Sequence, residues 1–405
     1  MNPIMFSIST LLVFQTKHVF KISKLSVSSR KFIHEIGERP PNPSLFQGDV
    51  QSQAQILYDW FHGKQNVLCI TGAGISTDSG IPDYRGNNGS YYKNHVPTLH
   101  HEFIHKEQTR KRYWARSLIG WKEFANAVPN DGHVALSTLE RLGKIGVSFD
   151  DCMTYDKNDD IASTNHNYVQ VLHTHEKEAN LDYAFTNGGG SRRVSIITQN
   201  VDRLHSQAGS KYILHLHGRN DILKCQSCAS EHCRHEYHQR LEELNGIGLE
   251  KMNFMNATTR TNTSNNNNSS SSSTKADLRP DGDAELLWSA ESLNDFQVPN
   301  CSKCTHGILK PDVVFFGDSV PRHRVDECYA AVNACDGLLV IGSSLTVHSA
   351  YRFVTHASHH GDKPIAILNM GITRAESSGI HVTKVDAPIG PTLMELVKLF
   401  STKGD

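Results

Sequence analysis

Four of the nine cysteines stand in two C-x-x-C pairs, Cys225-Gln-Ser-Cys228 and Cys301-Ser-Lys-Cys304. Two thiolate pairs at that spacing are the usual way to build a tetrahedral zinc site. With sulfur in all four positions the ion supports a fold and activates no water. A redox dithiol pair is the competing reading. The gap between the pairs is far beyond the usual span of about 15–20 residues. It contains a tract, from about residue 253 to 283, that includes four consecutive Asn and then five consecutive Ser. Such a tract buries no core and reads as an expanded, disordered loop. Cys233 is near enough to substitute as a ligand but has no C-x-x-C partner. Cys69, Cys152, Cys328 and Cys335 read as core or incidental cysteines.

A second group of residues suits nucleotide chemistry. The run from Gly72 to Gly86 reads GAGISTDSGIPDYRG. Glycines directly after a buried strand let a backbone approach a pyrophosphate, and the amides of a following helix start donate to it. The spacing here is G-x-G-x5-G rather than G-x-G-x-x-G, so the run alone says little; Arg85 is either a phosphate partner or a solvated loop arginine. Gln199-Asn-Val-Asp202 follows a further apolar run. Its amides and carboxylate suit ribose hydroxyls and a carboxamide, or simply cap a helix. His217, in Leu214-His-Leu-His-Gly-Arg219, is a candidate general base, although 24 histidines mean that only its motif singles it out. Gly342-Ser-Ser-Leu345 and Asn369-Met-Gly371 place small hydroxyls and an amide after two more apolar runs, and Lys310-Pro-Asp-Val-Val-Phe-Phe-Gly-Asp318 holds a strand-like core.

These groups need a frame that brings strand ends together. Val67–Ile70, Val194–Thr198, Gly337–Ile341 and Pro364–Leu368 are brief, rich in Val, Ile or Leu, and each precedes one of the motifs. Amphipathic stretches such as His133–Leu142 and Val325–Ala334 lie between them. Short apolar strands alternating with helices predict an α/β fold whose parallel sheet carries helices on both faces. Ligands collect at the carboxyl ends of such strands. The polar, His- and Asn-rich segment from about Phe149 to Arg192 reads as an inserted surface loop.

Composition is that of an ordinary soluble chain, with 38% hydrophobic and 20% charged residues. A net charge of -1 gives no electrostatic footprint for nucleic acid or a membrane surface. No apolar stretch reaches the ~18 residues of a spanning helix. The first 34 residues contain no Asp or Glu but hold Lys17, Lys21, Lys24, Arg30 and Lys31 with interleaved serines. That pattern predicts a mitochondrial transit peptide and a matrix protein; the apolar run Met5–Phe14 leaves a secretory signal as the competitor.

In this order the motifs closely resemble the sirtuin family. The likeness runs from about Gln55 to Phe400 outside the two insertions: GAGIS…GIPDYR, QNVD, His-Gly, the paired C-x-x-C knuckles, VVFFG, GSSL and NxG. Arg112-Tyr-Trp-Ala-Arg116, Pro280-Asp-Gly-Asp283 and Phe296-Gln-Val-Pro299 look like class II sirtuins, which include the mitochondrial lipoamidase type. The resemblance implies a Rossmann-like NAD-binding domain over residues 41–222 and 310–401, with a helical module at roughly 87–130. It implies a zinc module over 223–309 and leaves 1–40 as a targeting or disordered start. It further implies NAD-dependent removal of acyl groups from protein lysines, releasing nicotinamide and O-acyl-ADP-ribose.

His217 would then be the general base, with Asn200 orienting the ribose and Asp202 holding the carboxamide. The implied NAD contacts are Gly72, Ala73, Gly74, Ser76, Asp83, Tyr84, Arg85, Gln199, Asn200, Val201 and Asp202 from the first two motifs. Gly342, Ser343, Ser344, Asn369, Met370, Gly371 and Ile389 complete them. Val313, Val314 and Phe315 would pair with the substrate backbone, and Cys225, Cys228, Cys301 and Cys304 would hold zinc. Tyr113 and Arg116 have the Y-x-x-R spacing that binds acidic acyl groups in class III sirtuins; a packed tyrosine and an exposed helix arginine are the plainer reading. Protein mono-ADP-ribosylation from the same NAD site is the alternative activity. A silent NAD sensor and a zinc-ribbon nucleic-acid module are the remaining rivals. Acyl-lysine proteins are the expected partners, with no nucleic acid or membrane; oligomeric state is not legible.

Overall fold

The computed structural model describes residues 46, 48–86, 89, 97–150, 191–246, 278–284 and 293–403. The expected N-terminal targeting segment, residues 151–190 of the first insertion, residues 253–277 of the low-complexity tract, Cys152 and part of the expected helical module lie outside them. All described residues fall in one compact unit that runs from Arg39 to Asp405.

Among the described residues there are eleven strands: β1 Val67–Thr71, β2 Val147–Asp150, β3 Ser191–Val194, β4 Ile196–Thr198, β5 Ile213–His215, β6 Gly218–Cys225, β7 Glu231–Cys233, β8 Leu309–Val313, β9 Gly337–Ile341, β10 Ile365–Leu368 and β11 Thr383–Val385. Six of them make one sheet in the order β11-β10-β9-β1-β4-β5, and every pairing in it is parallel. Alternate residues of a strand point to opposite faces, and the sequence uses this twice over. Leu68, Ile70, Leu338, Val340 and Ile367 pack on one face with Cys328, Ala331 and Val332 of the helix Arg322–Ala334 and with Phe353 and Val354 of the helix His348–Gly361. Their neighbours Val67, Cys69, Leu339, Ile341, Ala366 and Leu368 pack on the other. There they meet Leu57, Leu136 and Leu393 from the helices Val50–Phe61, Asp131–Arg141 and Ile389–Lys403. The strands therefore read as unbroken apolar runs, as a sheet covered on both faces requires.

The expected strand Val194–Thr198 is in fact two. Val194 pairs antiparallel with Val147, while Ile196 joins the parallel sheet beside Cys69 and Ile213. Ser195 between them is fully buried, and its amide donates to the carbonyl of Tyr212 (2.8 Å). The ends of the first insertion are thus clamped as the β2–β3 ribbon. No described helix is long and apolar enough to cross a membrane.

A third core lies around the smaller sheet β7-β6-β8. Tyr113, Trp114, Leu118 and Phe124 of the helix Glu107–Ala125 pack with Tyr237 and Leu241 of the helix Arg234–Asn245 and with Cys225, Leu309 and Phe315. Arg234 is fully buried there, its guanidinium 4.4 Å from the Trp121 ring centroid and donating to Ser117 Oγ at 2.7 Å.

The strand ends β1 and β9 meet through glycine. The Gly74 amide donates to the carbonyl of Gly342 at 2.9 Å, and a Cβ on Gly74 would stand 2.9 Å from that oxygen and 3.0 Å from Gly342 Cα. Both obstructions are backbone, so neither can swing aside. Gly74→Ala is therefore expected to cost about 1–3 kcal/mol, as overpacking does elsewhere. Urea unfolding checks this: the midpoint should fall with an unchanged slope.

Candidate active site and zinc centre

The three motifs that end β1, β4 and β9 are joined by side-chain hydrogen bonds. After β1 the chain turns through a short 3-10 helix, Ala73–Ser79, stopped by Gly80 in the left-handed region (φ 85°). Ser76 within it is buried and donates to Asp202 Oδ2 at 2.7 Å. Asn200 spends both hydrogens of Nδ2 on the protein, on Ser76 Oγ (3.1 Å) and on the Gly72 carbonyl (3.2 Å). Asp202 Oδ1 accepts from the Leu204 amide at 3.0 Å. Gln199 Nε2 reaches Ser343 Oγ at 2.8 Å, which also accepts from the Leu345 amide. The Gly72–Ser79, Gln199–Asp202 and Gly342–Ser344 segments therefore form one polar floor. Ile389, at the start of its helix, lies over it: a Cβ on Gly342 would be 3.0 Å from Ile389 Cδ1.

Beneath that floor sit two buried histidines. His205 Nε2 is 2.9 Å from Thr71 Oγ1, which donates to Thr198 Oγ1, and the His133 ring is 4.9 Å from that of His205. Burial lowers the pKa of both, His133 to about 4. Neither is charged at neutral pH. Burial raises the Asp83 carboxyl, which nonetheless accepts from the Gly86 amide at 2.8 Å. Tyr84 and Arg85 are half-buried in the same turn. Val201 is buried. At the end of β10, Asn369 Nδ2 donates to the Met370 carbonyl (2.8 Å), while the Gly371 amide donates to Asp386 Oδ1 (3.0 Å). Ser344 Oγ is 3.0 Å from Thr346 Oγ1.

His217 sits between β5 and β6 and is half-buried. Its Nδ1 is 3.0 Å from the carbonyl oxygen of Gln199, and its Nε2 is 2.7 Å from Ser349 Oγ. A carbonyl can only accept, so Nδ1 carries the proton of the neutral ring. Nε2 is left with a lone pair, which accepts from the Ser349 hydroxyl. Burial, reinforced by the nearby Arg324 and Arg352 charges, lowers the His217 pKa to about 4 against the pull of the Gln199 carbonyl. The adjoining glycine is obligatory. Gly218 has φ 84°, and a Cβ there would lie 1.8 Å from the Asp312 carbonyl oxygen. Ser349 was not among the residues the sequence singled out; it follows the GSSL motif by only four residues and opens the next helix.

The Val313–Phe315 segment passes directly beside the histidine. The Val314 amide donates to the His217 carbonyl at 2.9 Å, so that amide is already committed within the fold. Phe315 is buried against Phe103 (5.3 Å between ring centroids) and Tyr113 (5.2 Å). Tyr113 is 2% exposed and packed against the rings of Phe103, Trp114 and Phe315. One turn on, Arg116 donates to Thr98 Oγ1 at 2.9 Å and pairs with the buried Asp283 at the same distance. The guanidinium already holds Asp283, a partner far away in sequence.

The four cysteines of the two knuckles converge. Their sulfurs all lie within 4.8 Å of one another, with Cys225–Cys304 at 3.6 Å and Cys228–Cys301 at 3.8 Å. A tetrahedral zinc ion with bonds of about 2.3 Å sets its sulfurs about 3.8 Å apart. The cysteines are free thiols, and no other group of potential metal ligands is found among the described residues. The two knuckles are local copies: the Ala229 amide bonds to the Cys225 carbonyl (3.0 Å) and the Thr305 amide to the Cys301 carbonyl (2.9 Å), with Ala229 and Thr305 both left-handed. Cys233 is exposed and stands outside the group. The geometry and donor set fit a structural zinc ion. Cys301→Ser should remove stoichiometric zinc, read by metal analysis. A loss of on the order of 3 kcal/mol would lower the thermal midpoint by about 5 °C.

Known proteins match this arrangement. The Sir2 family model matches residues 72–175 and 149–349. The NAD-dependent protein deacylase Sirt4 of Drosophila melanogaster is 35% identical over 356 residues, 87% of this chain and 89% of that protein. The NAD-dependent protein deacetylase 1 of Streptomyces coelicolor is 37% identical over 327 residues, 81% and 83% respectively. Among solved structures, a Sir2 enzyme with a p53 peptide and NAD+ has a TM-score of 0.51 at 22% identity, covering 86% of this chain and 97% of that one. A Sir2 homologue in complex with ADP ribose has a TM-score of 0.54 at 21% identity, covering 86% and 98%. Those likenesses concern the fold, while the sequence relatives concern descent. The family match takes in the glycine turn, the histidine and both cysteine pairs, and the chain belongs to the Sir2, or sirtuin, family.

Proposed function

We propose that the chain is an NAD-dependent protein-lysine deacylase, releasing nicotinamide and O-acyl-ADP-ribose. The observation that carries this reading is the state of His217: neutral, with its proton fixed on Nδ1 and its Nε2 lone pair available beside the Gln199–Asp202 floor. When bound, NAD would supply the ribose carbon at which nicotinamide is exchanged for the acyl oxygen of the substrate lysine. His217 Nε2 is then the atom that takes a proton from a ribose hydroxyl, with Ser349 as the group it must release. Asn200 has Oδ1 left to face a ligand, because both Nδ2 hydrogens are used, and Asp202 offers carboxylate oxygens to a carboxamide. Ser343, Ser344 and Asn369 put hydroxyls and an amide where phosphate and ribose are received at strand ends. Zinc, held on the far side of β6, supports the fold and takes no part in the proton transfer.

The motifs Arg112–Arg116, Pro280–Asp283 and Phe296–Pro299 support placement among class II sirtuins, and the acid-free first 34 residues support import into the mitochondrial matrix. An acidic acyl chain that used Arg116 would have to share it with Asp283.

Nicotinamide release from acetyl, lipoyl, glutaryl and methylglutaryl lysine peptides tests the activity. At least one peptide should stimulate release, and His217→Ala should lower its kcat by about 10²–10⁴-fold. Absence of release from every peptide by zinc-loaded protein would sink the reading. ADP-ribose transferred to a protein, with no dependence on acyl-lysine, would favour the transferase alternative. The pH profile is a separate check. Burial disfavours the imidazolium, so the base stays available as pH falls through 6.5, and the acid limb of kcat/KM should lie near 4. By the same linkage the unfolded chain binds the extra proton between those values. Stability from this group is thus present above pH 6.5 and declines towards pH 4.

A further inference from the structure

Lys310 precedes the Val313–Phe315 segment and is 6% exposed, a rare position for a lysine. Burial pulls its ammonium below the ordinary lysine pKa, opposed by Asp318 and Asp312. Such a cation is kept only where its donors are met. Lys310 Nζ donates to the Val313 carbonyl, lies 3.4 Å from that of Pro311 and 3.5 Å from Asp318 Oδ2, and stands 4.4 Å from the Phe315 ring centroid. Asp318 extends the same tie: its Oδ2 is 3.0 Å from His100 Nδ1, and its amide donates to the Phe315 carbonyl at 3.0 Å. The His100 amide in turn donates to the Phe316 carbonyl at 2.9 Å, where Leu99 and Phe316 form an isolated parallel bridge. One ammonium thus ties the start, the middle and the end of a six-residue loop to itself. The same loop is hydrogen-bonded through Val314 to the backbone of His217.

We propose that Lys310 is a positioning residue for the acyl-lysine substrate, holding residues 313–318 in the shape that pairs with the substrate backbone; this rests on the deacylase reading. The partner chemistry is an extended peptide bearing an acylated lysine, received edge-on as an added strand. Lys310 touches neither the polar floor at the ends of β1, β4 and β9 nor the His217 ring in any described contact. Its loss should therefore weaken peptide binding and spare the NAD side. A residue that merely supported the core would move every parameter together.

The test is steady-state kinetics with the peptide of the four-acyl panel that wild type turns over fastest, varying peptide and NAD separately. Lys310→Met keeps the packing volume and removes the charge. It should raise the peptide KM about tenfold while kcat and the KM for NAD stay within about twofold, the signature of lost uniform binding. Lys310→Arg should recover most of the loss. Asp318→Asn, a milder change at a half-buried site, should shift the peptide KM in the same direction, and the double variant should do little more than Lys310→Met alone. An unchanged peptide KM in Lys310→Met and Asp318→Asn overturns the proposal. So does a parallel fall in kcat and NAD affinity. If Lys310→Met does not fold, Asp318→Asn decides alone. No nicotinamide release by wild type from any peptide is a different failure, that of the deacylase reading, and takes this proposal with it.

Discussion

The Nδ1–H of His217 donates to the carbonyl of Gln199, and the chemistry available at the site depends on that bond. It decides which ring nitrogen carries the proton and so which one can take another. The carbonyl that accepts it belongs to the first residue of the Gln199–Asp202 floor, whose own amide is held by the carbonyl of Thr71 at the end of β1. The His217 ring, the proposed base, is therefore aimed by the same backbone that shapes the polar floor. Burial supplies the other half of the arrangement by keeping the ring neutral. A cationic His217 would have no lone pair to use.

That bond can form because two structures meet at one residue. The parallel sheet delivers its strand ends side by side, and glycines at Gly72, Gly74 and Gly342 let the loops after β1 and β9 come into backbone contact. On the other side, β6 starts beside His217 and ends at the zinc-site residue Cys225, paired with β8 at both ends and interrupted by an irregularity between Arg219 and Leu223. Gly218 faces Val313 at one end of that ladder, and Cys225 faces Leu309 at the other. The cysteine knuckles thus hold the far end of the two strands whose near ends carry His217 and the Val313–Phe315 segment. A metal with no open coordination position would act on the site only through these two strands.

Much of this was legible in the sequence, for stated physical reasons. A strand buried on both faces has to be an apolar run, so β1, β9 and β10 stood out, and the polar residues after them marked the site. The C-x-x-C spacing carries its geometry with it. What stayed hidden depends on contacts between distant segments. β5 and β11 have three residues each, too few to show a period. Ser195 reads as one more residue in an apolar run, yet it is where the chain leaves a two-stranded ribbon for the main sheet. Ser349 gains its role only when the loop after β9 is brought over His217. Lys310 and Asp318 look like surface charges around an apolar strand until folding places one ammonium inside the loop. Arg116 fits a helix-surface arginine by position, and only the fold brings Asp283 to it.

Everything at the site turns on the protonation state and tautomer of His217, and nitrogen NMR of histidine-labelled protein at pH 7 reads both directly. Comparison with His217→Gln identifies the His217 resonances among those of the other histidines. The ring should be neutral and protonated on Nδ1, and should stay so as the pH is lowered to about 5. A cationic ring at pH 7, or a neutral ring protonated on Nε2, would contradict it.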